Sequence, residues 1–274
     1  MILTMLLKGS ELAGYIKAQQ AQMVRSFSYS GKTPQLDIIS VNTEVVSNKY
    51  VELKQQYGED IGVVINHHQV DTDDLVDIIS DLNSNTDSHG IIVQLPLPED
   101  IKTNDINNIL DNIDPRKDVD SLGSSSVFDP ATPTAILWLL AGYDIDLNDK
   151  RIGVVGQGRL VGKPLTKILT QSGYQPMVCD EDSNNLEELM EQSDIVITAT
   201  GQPGLITNEL VKVNQVLIDA GTADDNGSLI GDVEKKAHNR EDIKISPVPG
   251  GVGPLTVAAL FANVIEAFRI QVLE

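Results

Sequence analysis

Short apolar runs of strand length alternate with helix-length amphipathic runs along almost the whole chain, and this constrains the fold more than any other feature. Leu36–Val41, Gly62–Ile65 and Gly90–Val93 read as short buried strands, with helices at Ser10–Ser28, Val45–Tyr57 and Asp71–Asn83. A strand that is apolar throughout is covered on both faces, and parallel strands need a crossover element, usually a helix. A second series opens after Asp149. Arg151–Val155, Gln175–Cys179, Asp194–Thr198 and Gln215–Asp219 are strand-like, separated by helical runs near Pro164–Gln171 and Leu186–Gln192. The pattern predicts an α/β protein with two parallel-sheet domains. The division is placed on the helix Thr134–Leu140 and the turn Gly142–Leu147, giving domains over 1–140 and 141–255. The apolar helix Thr256–Ile270 is expected to pack back on the first domain, so that 256–274 completes it. The cleft between the domains is then the expected ligand site.

The chain's 274 residues are enough for two medium domains with real cores. Its formal charge of −20 repels nucleic acid and anionic membranes, so neither is an expected partner. An anionic cofactor therefore needs a local site. No apolar run reads as a membrane span. The short apolar start Met1–Lys8 lacks the basic region and cleavage site of a secretory leader and reads as a first strand. The single cysteine, Cys179, excludes an internal disulfide and fits a cytoplasmic location.

Several short segments carry chemistry. Ser246–Thr256 (SPVPGGVGPLT) holds three prolines and three glycines just before the last helix, a rigid loop poor in side chains that lets a ligand approach backbone. Ser47, Tyr50 and Lys54 fall at i, i+3 and i+7, on one face of a helix. Taken alone, that spacing is ordinarily a solvated lysine beside a half-buried tyrosine. Val93-Gln94-Leu95-Pro96-Leu97-Pro98 leaves Gln94 as the last polar side chain at the mouth of a buried strand, where ligands bind in open α/β sheets. Asp114–Asp120 (DPRKDVD) offers Asp118 and Asp120, but no histidine or third carboxylate at ligand spacing, so no metal is expected. Gly156-Gln157-Gly158-Arg159-Leu160-Val161-Gly162 follows a strand and opens a helix, the start of a Rossmann unit whose backbone amides can hold a pyrophosphate.

Together and in this order, these segments resemble the methylenetetrahydrofolate dehydrogenase/cyclohydrolase family. The resemblance runs from Leu7-Lys8-Gly9 to the last helix. It rests on SxxYVxxK at 47–54, VQLPLP at 93–98, KDVD at 117–120, LVGKP at 160–164 and PVPGGVGPLT at 247–256. It implies an N-terminal α/β folate domain and a Rossmann-type doubly wound cofactor domain. It also implies oxidation of 5,10-methylenetetrahydrofolate to the methenyl form, then hydrolysis to 10-formyltetrahydrofolate at the same folate site. By resemblance, Lys54 is the essential polar group and Gln94 tunes it. Tyr50 packs on the folate rings, and Asp120 accepts hydrogen bonds from the pterin. Ser47, Pro249, Gly250, Gly251 and Pro254 complete the substrate site. Thr200, Gly201 and Gly221 join 156–162 along the cofactor, and the family's usual homodimer through the cofactor domain is expected.

The chain departs from the family pattern at several positions. Asn42–Val46 replaces a Gly-Asp-Asp/Asn-Pro-Ala run, Ser121 a glycine, Gly123 a histidine and Ala131 a cysteine. At the cofactor loop the family's Gly-Arg-Ser is Gly156-Gln157-Gly158. The next strand ends in Asp180-Glu181-Asp182, where the family commonly has a His-Ser-Lys/Arg-Thr-like run. Asp180 stands 24 positions after Gly156, near the spacing at which an acid takes the adenosine ribose hydroxyls of NAD. A 2′-phosphate would meet like charge there. NAD is therefore expected over NADP.

Four other readings compete. A member that only hydrolyses the methenyl form would have a drifted cofactor loop. A dehydrogenase-only member would keep that loop and hydrolyse weakly. A non-catalytic folate- or nucleotide-binding module has no need of the Lys54–Gln94 pair. A shikimate-type dehydrogenase shares the glycine loop but has no reason to carry VQLPLP or PVPGGVGPLT.

Overall fold

The computed structural model describes residues 5–41, 45–98, 101–183, 185–225 and 228–273; at residues 28, 30, 45–50, 103, 104, 224, 225 and 228 only the backbone is described. In chain order the elements are β1 (Met5–Leu6), α1 (Gly9–Ser26), β2 (Gln35–Val41), α2 (Val45–Ile61), β3 (Val64–Val70), α3 (Leu75–Ser84), β4 (Gly90–Val93), α4 (Thr103–Asp111) and α5 (Ala131–Gly142). They continue as β5 (Ile152–Val155), α6 (Gly162–Gln171), β6 (Met177–Cys179), α7 (Leu186–Gln192), β7 (Ile195–Thr198) and β8 (Val216–Asp219). The last are β9 (Ala223–Asp225), β10 (Ser228–Ile230), β11 (Lys244–Ile245) and α8 (Val252–Phe268). The chain divides into two compact units, one of Tyr15–Ala131 with Val257–Glu274, the other of Met1–Gly14 with Thr132–Thr256.

The first unit holds a three-stranded parallel sheet in the order β3-β2-β4. Central β2 is buried at consecutive positions from Leu36 through Ile38 and Ile39 to Val41, the pattern of a strand covered on both faces. One core cluster joins Ile39, Ile91 and Val93 of the sheet to Leu75, Ile79 and Leu82 of α3 and to Leu110 of α4. Helix α4 was not anticipated, because Thr103–Asp111 is mostly Asn and Asp. Ile106 and Ile109 carry its packing against the core. Strand β3 begins and ends later than the expected Gly62–Ile65 and includes His67 and His68. On a sheet edge one face is wet, so polar residues belong there. Asp37, buried on β2, is paired by His68 Nε2 at 2.8 Å and Asn66 Nδ2 at 3.0 Å, which answers the cost of burying its charge.

From Val257 onward, α8 and a following π-helical turn (Arg269–Leu273) belong to this unit. Val252–Leu273 is long and apolar enough, by length and composition, to cross a membrane. In this fold it forms core instead. Ala258, Phe261, Val264, Ala267 and Phe268 are fully buried, Phe261 stacks on Tyr57 and Phe268 on Phe27. Gln20 Nε2 donates to Ala258 O at 2.8 Å, and Asn263 Nδ2 donates to Val119 O at 2.9 Å and Asp129 O at 2.8 Å.

The second unit holds a six-stranded sheet in the order β1-β11-β8-β7-β5-β6, parallel throughout, and the hairpin β9–β10. Strand β5 lies between β6 and β7, so the order reverses beside it. That reversal is the topological switch point of a Rossmann-type doubly wound sheet, where ligands bind at the strand ends. Strand β1 forms as read from Met1–Lys8, but it pairs with β11. Residues 1–14 therefore belong to the second unit, unlike the 1–140 boundary read from the sequence.

Candidate active site

In the first unit, register brings three functional side chains together. Ile91 of β4 pairs in parallel with Asp118, and Ile91 N donates to Lys117 O at 2.7 Å. Gln94 is three residues beyond that pairing and Asp120 two, so both sit at the same strand end. Gln94 N donates to Ile39 O at 2.8 Å, which holds the exit of β4 against β2. The peptide Leu95–Pro96 is cis.

Lys54 reaches this end from the third turn of α2. Its Nζ donates to Gln94 Oε1 at 2.7 Å, and Gln94 Nε2 donates to Leu95 O at 2.8 Å. The second bond fixes which way the amide points, so an acceptor oxygen is always presented to the lysine. Burial pushes the Lys54 amine below the usual lysine range, and the charge of Asp120 pulls it back up. Burial pushes the Asp120 carboxyl up, and Lys54 opposes that. The result is an amine whose proton is easier to give than a free lysine's, set between a neutral acceptor and a carboxylate. Tyr50 and Ser47 lie on α2 with Lys54, but their side chains are outside the described residues, as is the 42–44 part of the Asn42–Val46 segment.

The neighbouring residues of the KDVD segment are structural. Lys117 Nζ donates to the carbonyls of Leu82, Asn83 and Asn85 at 2.8–2.9 Å and so closes the C-terminal end of α3. Asp118 accepts from Gly123 N at 2.9 Å and Leu122 N at 3.4 Å. Burial lifts its carboxyl to about 6 against those bonds. Gly123 suits this close approach, since a Cβ there would stand 3.1 Å from the Asp118 carboxylate and from Leu110 O. Ser121 has φ 57, the left-handed region where glycine is the easy choice, and its hydroxyl donates to Phe128 O at 2.6 Å. The serine thus keeps a glycine-like turn.

In the second unit, Gly156 (φ 92) ends β5, and a Cβ there would stand 2.6 Å from Ala199 O. A Cβ on Gly162 would overlap Gly156 O, whereas Gly158 has open space around it. The turn is closed where it must be tight and open where a diphosphate needs backbone, so the residues fit a dinucleotide. Gln157 Nε2 is occupied by Gly156 O at 3.0 Å and Thr166 Oγ1 at 3.1 Å. Arg159 is half-buried and Leu160 exposed, and Val161 precedes the first turn of α6. Asp180, Glu181 and Asp182 are exposed just past β6, and the Ser183 hydroxyl donates to the Asp180 carboxylate. Thr200 and Gly201 (φ 68) follow β7, and Gly221 follows β8.

The proline-glycine loop also lies in the second unit. Gly250 (φ 101) accepts from Ser10 N at 3.1 Å, and a Cβ on Gly9 would overlap Gly251 O. This accounts for glycine in the Leu7-Lys8-Gly9 motif. Pro249 follows a cis bond, and Pro254 sits in the first turn of α8, where its missing N–H costs nothing. One arrangement was missed from the sequence, the carboxylate pair Asp219 and Asp232. Asp-x-Gly at 219–221 facing Gly-Asp at 231–232 was its only trace. Among the described residues there is no cluster of His, Cys, Asp and Glu suited to a metal.

A parallel-sheet unit bearing a half-buried lysine–glutamine–aspartate set, with a Rossmann-type unit beside it in sequence, defines a folate-type dinucleotide-dependent enzyme class. Family models agree over nearly the whole length. Residues 7–120 match the tetrahydrofolate dehydrogenase/cyclohydrolase catalytic domain, and residues 130–272 match the NAD(P)-binding domain of the same family. The chain belongs to the tetrahydrofolate dehydrogenase/cyclohydrolase family. It is 36% identical over 282 residues to the bifunctional protein FolD of Hydrogenobaculum sp., covering 97% of this chain and 99% of that one. The crystal structure of the FolD enzyme of Campylobacter jejuni superposes with a TM-score of 0.89 at 30% identity, covering 98% and 99% of the two chains. The Trypanosoma brucei enzyme, solved with NADP and an inhibitor, gives a TM-score of 0.91 at 28% identity, covering 100% of each.

Proposed function

We propose that this protein oxidises 5,10-methylenetetrahydrofolate with a nicotinamide cofactor and hydrolyses the resulting methenyl form to 10-formyltetrahydrofolate. The observation that carries this reading is the Lys54–Gln94 bond at 2.7 Å with its amide orientation fixed by Leu95 O. When bound, the cofactor accepts a hydride from the folate methylene carbon. Everything else falls to the protein. Asp120 takes the hydrogen-bond donors of the pterin and so orients the ring. Lys54 acts as proton donor to a folate nitrogen and as the group that polarises water. In hydrolysis, water adds to the methenyl carbon, one carbon–nitrogen bond breaks, the released nitrogen takes a proton and one proton leaves to solvent. An amine made easier to deprotonate by burial suits this exchange. Gln94 restrains that shift, because its carbonyl favours the charged amine.

NAD is the preferred cofactor on this reading. Gln157 is turned inward and offers no cation to a 2′-phosphate, while Asp180–Asp182 place three acids past β6. Arg159 is then left for the pyrophosphate, which both cofactors share. Even a partly exposed like-charge contact disfavours NADP by about 1–2 kcal/mol, roughly ten-fold or more in affinity. We also infer a homodimer in the cytoplasm. The buried thiol of Cys179 suits a reducing compartment, and light scattering on the purified protein tests the dimer. Separate assays of methenyl formation and hydrolysis, with each cofactor, test the function.

A further inference from the structure

Asp219 and Asp232 form an interlocked pair of buried carboxylates that the functional reading above does not use. Both are essentially inaccessible, at 1% and 0% exposure. Asp219, at the end of β8, accepts through Oδ1 from Gly221 N and Asp232 N, each at 3.1 Å, and through Oδ2 from Val233 N at 3.0 Å. Asp232 accepts through Oδ2 from the Thr198 hydroxyl and from Thr200 N, each at 2.7 Å. Each carboxylate also claims a glycine. A Cβ on Gly221 would overlap the Asp232 carboxylate, and one on Gly231 would overlap that of Asp219. A third loop joins the set, since Asp219 N donates to the Ser246 hydroxyl at 2.8 Å and Ser246 opens the proline-glycine segment. The pair of side chains ties the loops after β7 and β8, and the backbone of Asp219 ties in the loop at Ser246.

Two features argue that this is more than packing. Two carboxylates are an expensive way to fill a core, since among the described residues their partners are neutral N–H and O–H donors and no cation pairs with them. Burial raises the Asp219 carboxyl to about 7, against its three backbone donors, and Asp232's charge adds to the rise. Asp232 Oδ1 is buried with no hydrogen-bond partner, whereas Oδ2 takes two strong donors. Among the donors that the pair holds are the backbone N–H groups of Thr200 and Gly221, in the loops expected to run along the cofactor.

We propose that Asp219 and Asp232 are positioning residues for hydride transfer: through the hydroxyl and backbone donors they hold, they fix the Thr198–Gly201 and Ala220–Thr222 loops in the form that seats the nicotinamide end of the cofactor. The proposal rests on the placement of the cofactor along these loops. It makes an asymmetric demand, because Lys54, Gln94 and Asp120 belong to the other unit and the hydrolytic step needs no cofactor.

The test compares both activities in Asp232→Ala, Asp232→Asn and Thr198→Val. Loss of the Thr200 anchor should lower kcat/KM for NAD-linked oxidation by roughly ten- to hundred-fold in Asp232→Ala, with a higher KM for NAD, while cofactor-free hydrolysis of the methenyl substrate stays within about two-fold. Thr198→Val should move the same way to a smaller extent. Asp232→Asn should recover most of the loss, because its amide oxygen keeps the two donors that Oδ2 takes. If Asp232→Ala proves too unstable to purify, Thr198→Val and Asp232→Asn carry the comparison. Equal loss of both activities, or unchanged NAD kinetics, overturns the positioning role. Gly158→Leu separates this from the cofactor placement, since a Cβ there meets nothing within 4 Å in the protein but would meet a bound diphosphate. If Gly158→Leu leaves the KM for NAD unchanged, the placement itself is wrong. If it raises that KM and Asp232→Ala does not, only the positioning role fails.

Discussion

Gln94 accepts a 2.7 Å hydrogen bond from Lys54 through an oxygen that has no freedom to turn away, because the other end of the amide is held by Leu95 O. A lysine in this setting has its charged form supported by one neutral acceptor and one nearby carboxylate, while burial works against both.

Replacing Lys54 by methionine keeps the volume of the stem and removes the amine that bonds Gln94. Lys54→Met is expected to abolish hydrolysis and to reduce oxidation to near background, with an unchanged far-ultraviolet circular dichroism spectrum. Near-normal turnover of the purified variant would remove Lys54 from the mechanism.

Gln94→Ala takes away the acceptor that favours the ammonium. The Lys54 pKa, already lowered by burial, must then fall further. The limb of the hydrolysis pH profile that reports Lys54 should move to lower pH, with a large loss of rate. An unchanged profile and rate would show that the bond has no catalytic consequence.

Asp120→Ala removes an acceptor from the pterin at a cost of about 1–3 kcal/mol in folate binding. It also removes the negative charge that raises the Lys54 pKa, so the same pH limb should shift down. Affinity for the cofactor should hardly change. Calorimetric titration with folate and with NAD, each alone, distinguishes these effects. Lost NAD affinity with normal folate affinity would place Asp120 at the wrong ligand.

His89 supplies a test of the folate unit's stability. It is 1% exposed, its Nδ1 accepts from Gln35 N at 3.2 Å, and its ring meets Phe268 edge-on at 4.9 Å. Burial lowers its pKa from 6.5 to about 4. Between those values the unfolded chain binds a proton that the folded chain refuses, so acidification destabilises the fold, by roughly 3 kcal/mol when complete. Asp118 and Asp219, raised to about 6 and about 7, act in the opposite direction over an overlapping range. A comparison with His89→Gln removes their contribution. The imidazole resonance absent from His89→Gln should remain neutral until about pH 4 in the parent protein. Titration of that resonance at its ordinary value would contradict the buried, neutral state.

The sequence made the alternation of strands and helices legible because both sheets are parallel and covered, so β4 and β5 read as short apolar runs and β2, β7 and β8 as mostly apolar ones. The edge strand β3 was cut short because His67 and His68 look like loop, and α4 was missed because its apolar residues are few. The Lys54, Gln94 and Asp120 set was legible only as a combination of motifs. What brings Gln94 and Asp120 level is the pairing of Ile91 with Asp118, a register that no local pattern encodes. The Asp219–Asp232 pair was illegible for a related reason. Its members are 13 residues apart and meet only because Gly221 and Gly231 leave space for a carboxylate.

Steady-state turnover of 5,10-methylenetetrahydrofolate by the unaltered protein, with NAD and with NADP, tests the proposed function most directly when methenyl formation and its hydrolysis are scored separately. Both products should form with NAD, and kcat/KM should be roughly ten-fold or more higher with NAD than with NADP. A higher kcat/KM with NADP would overturn the cofactor assignment. Hydrolysis without oxidation by either cofactor would leave only the cyclohydrolase, and the absence of both activities would contradict the proposed function itself.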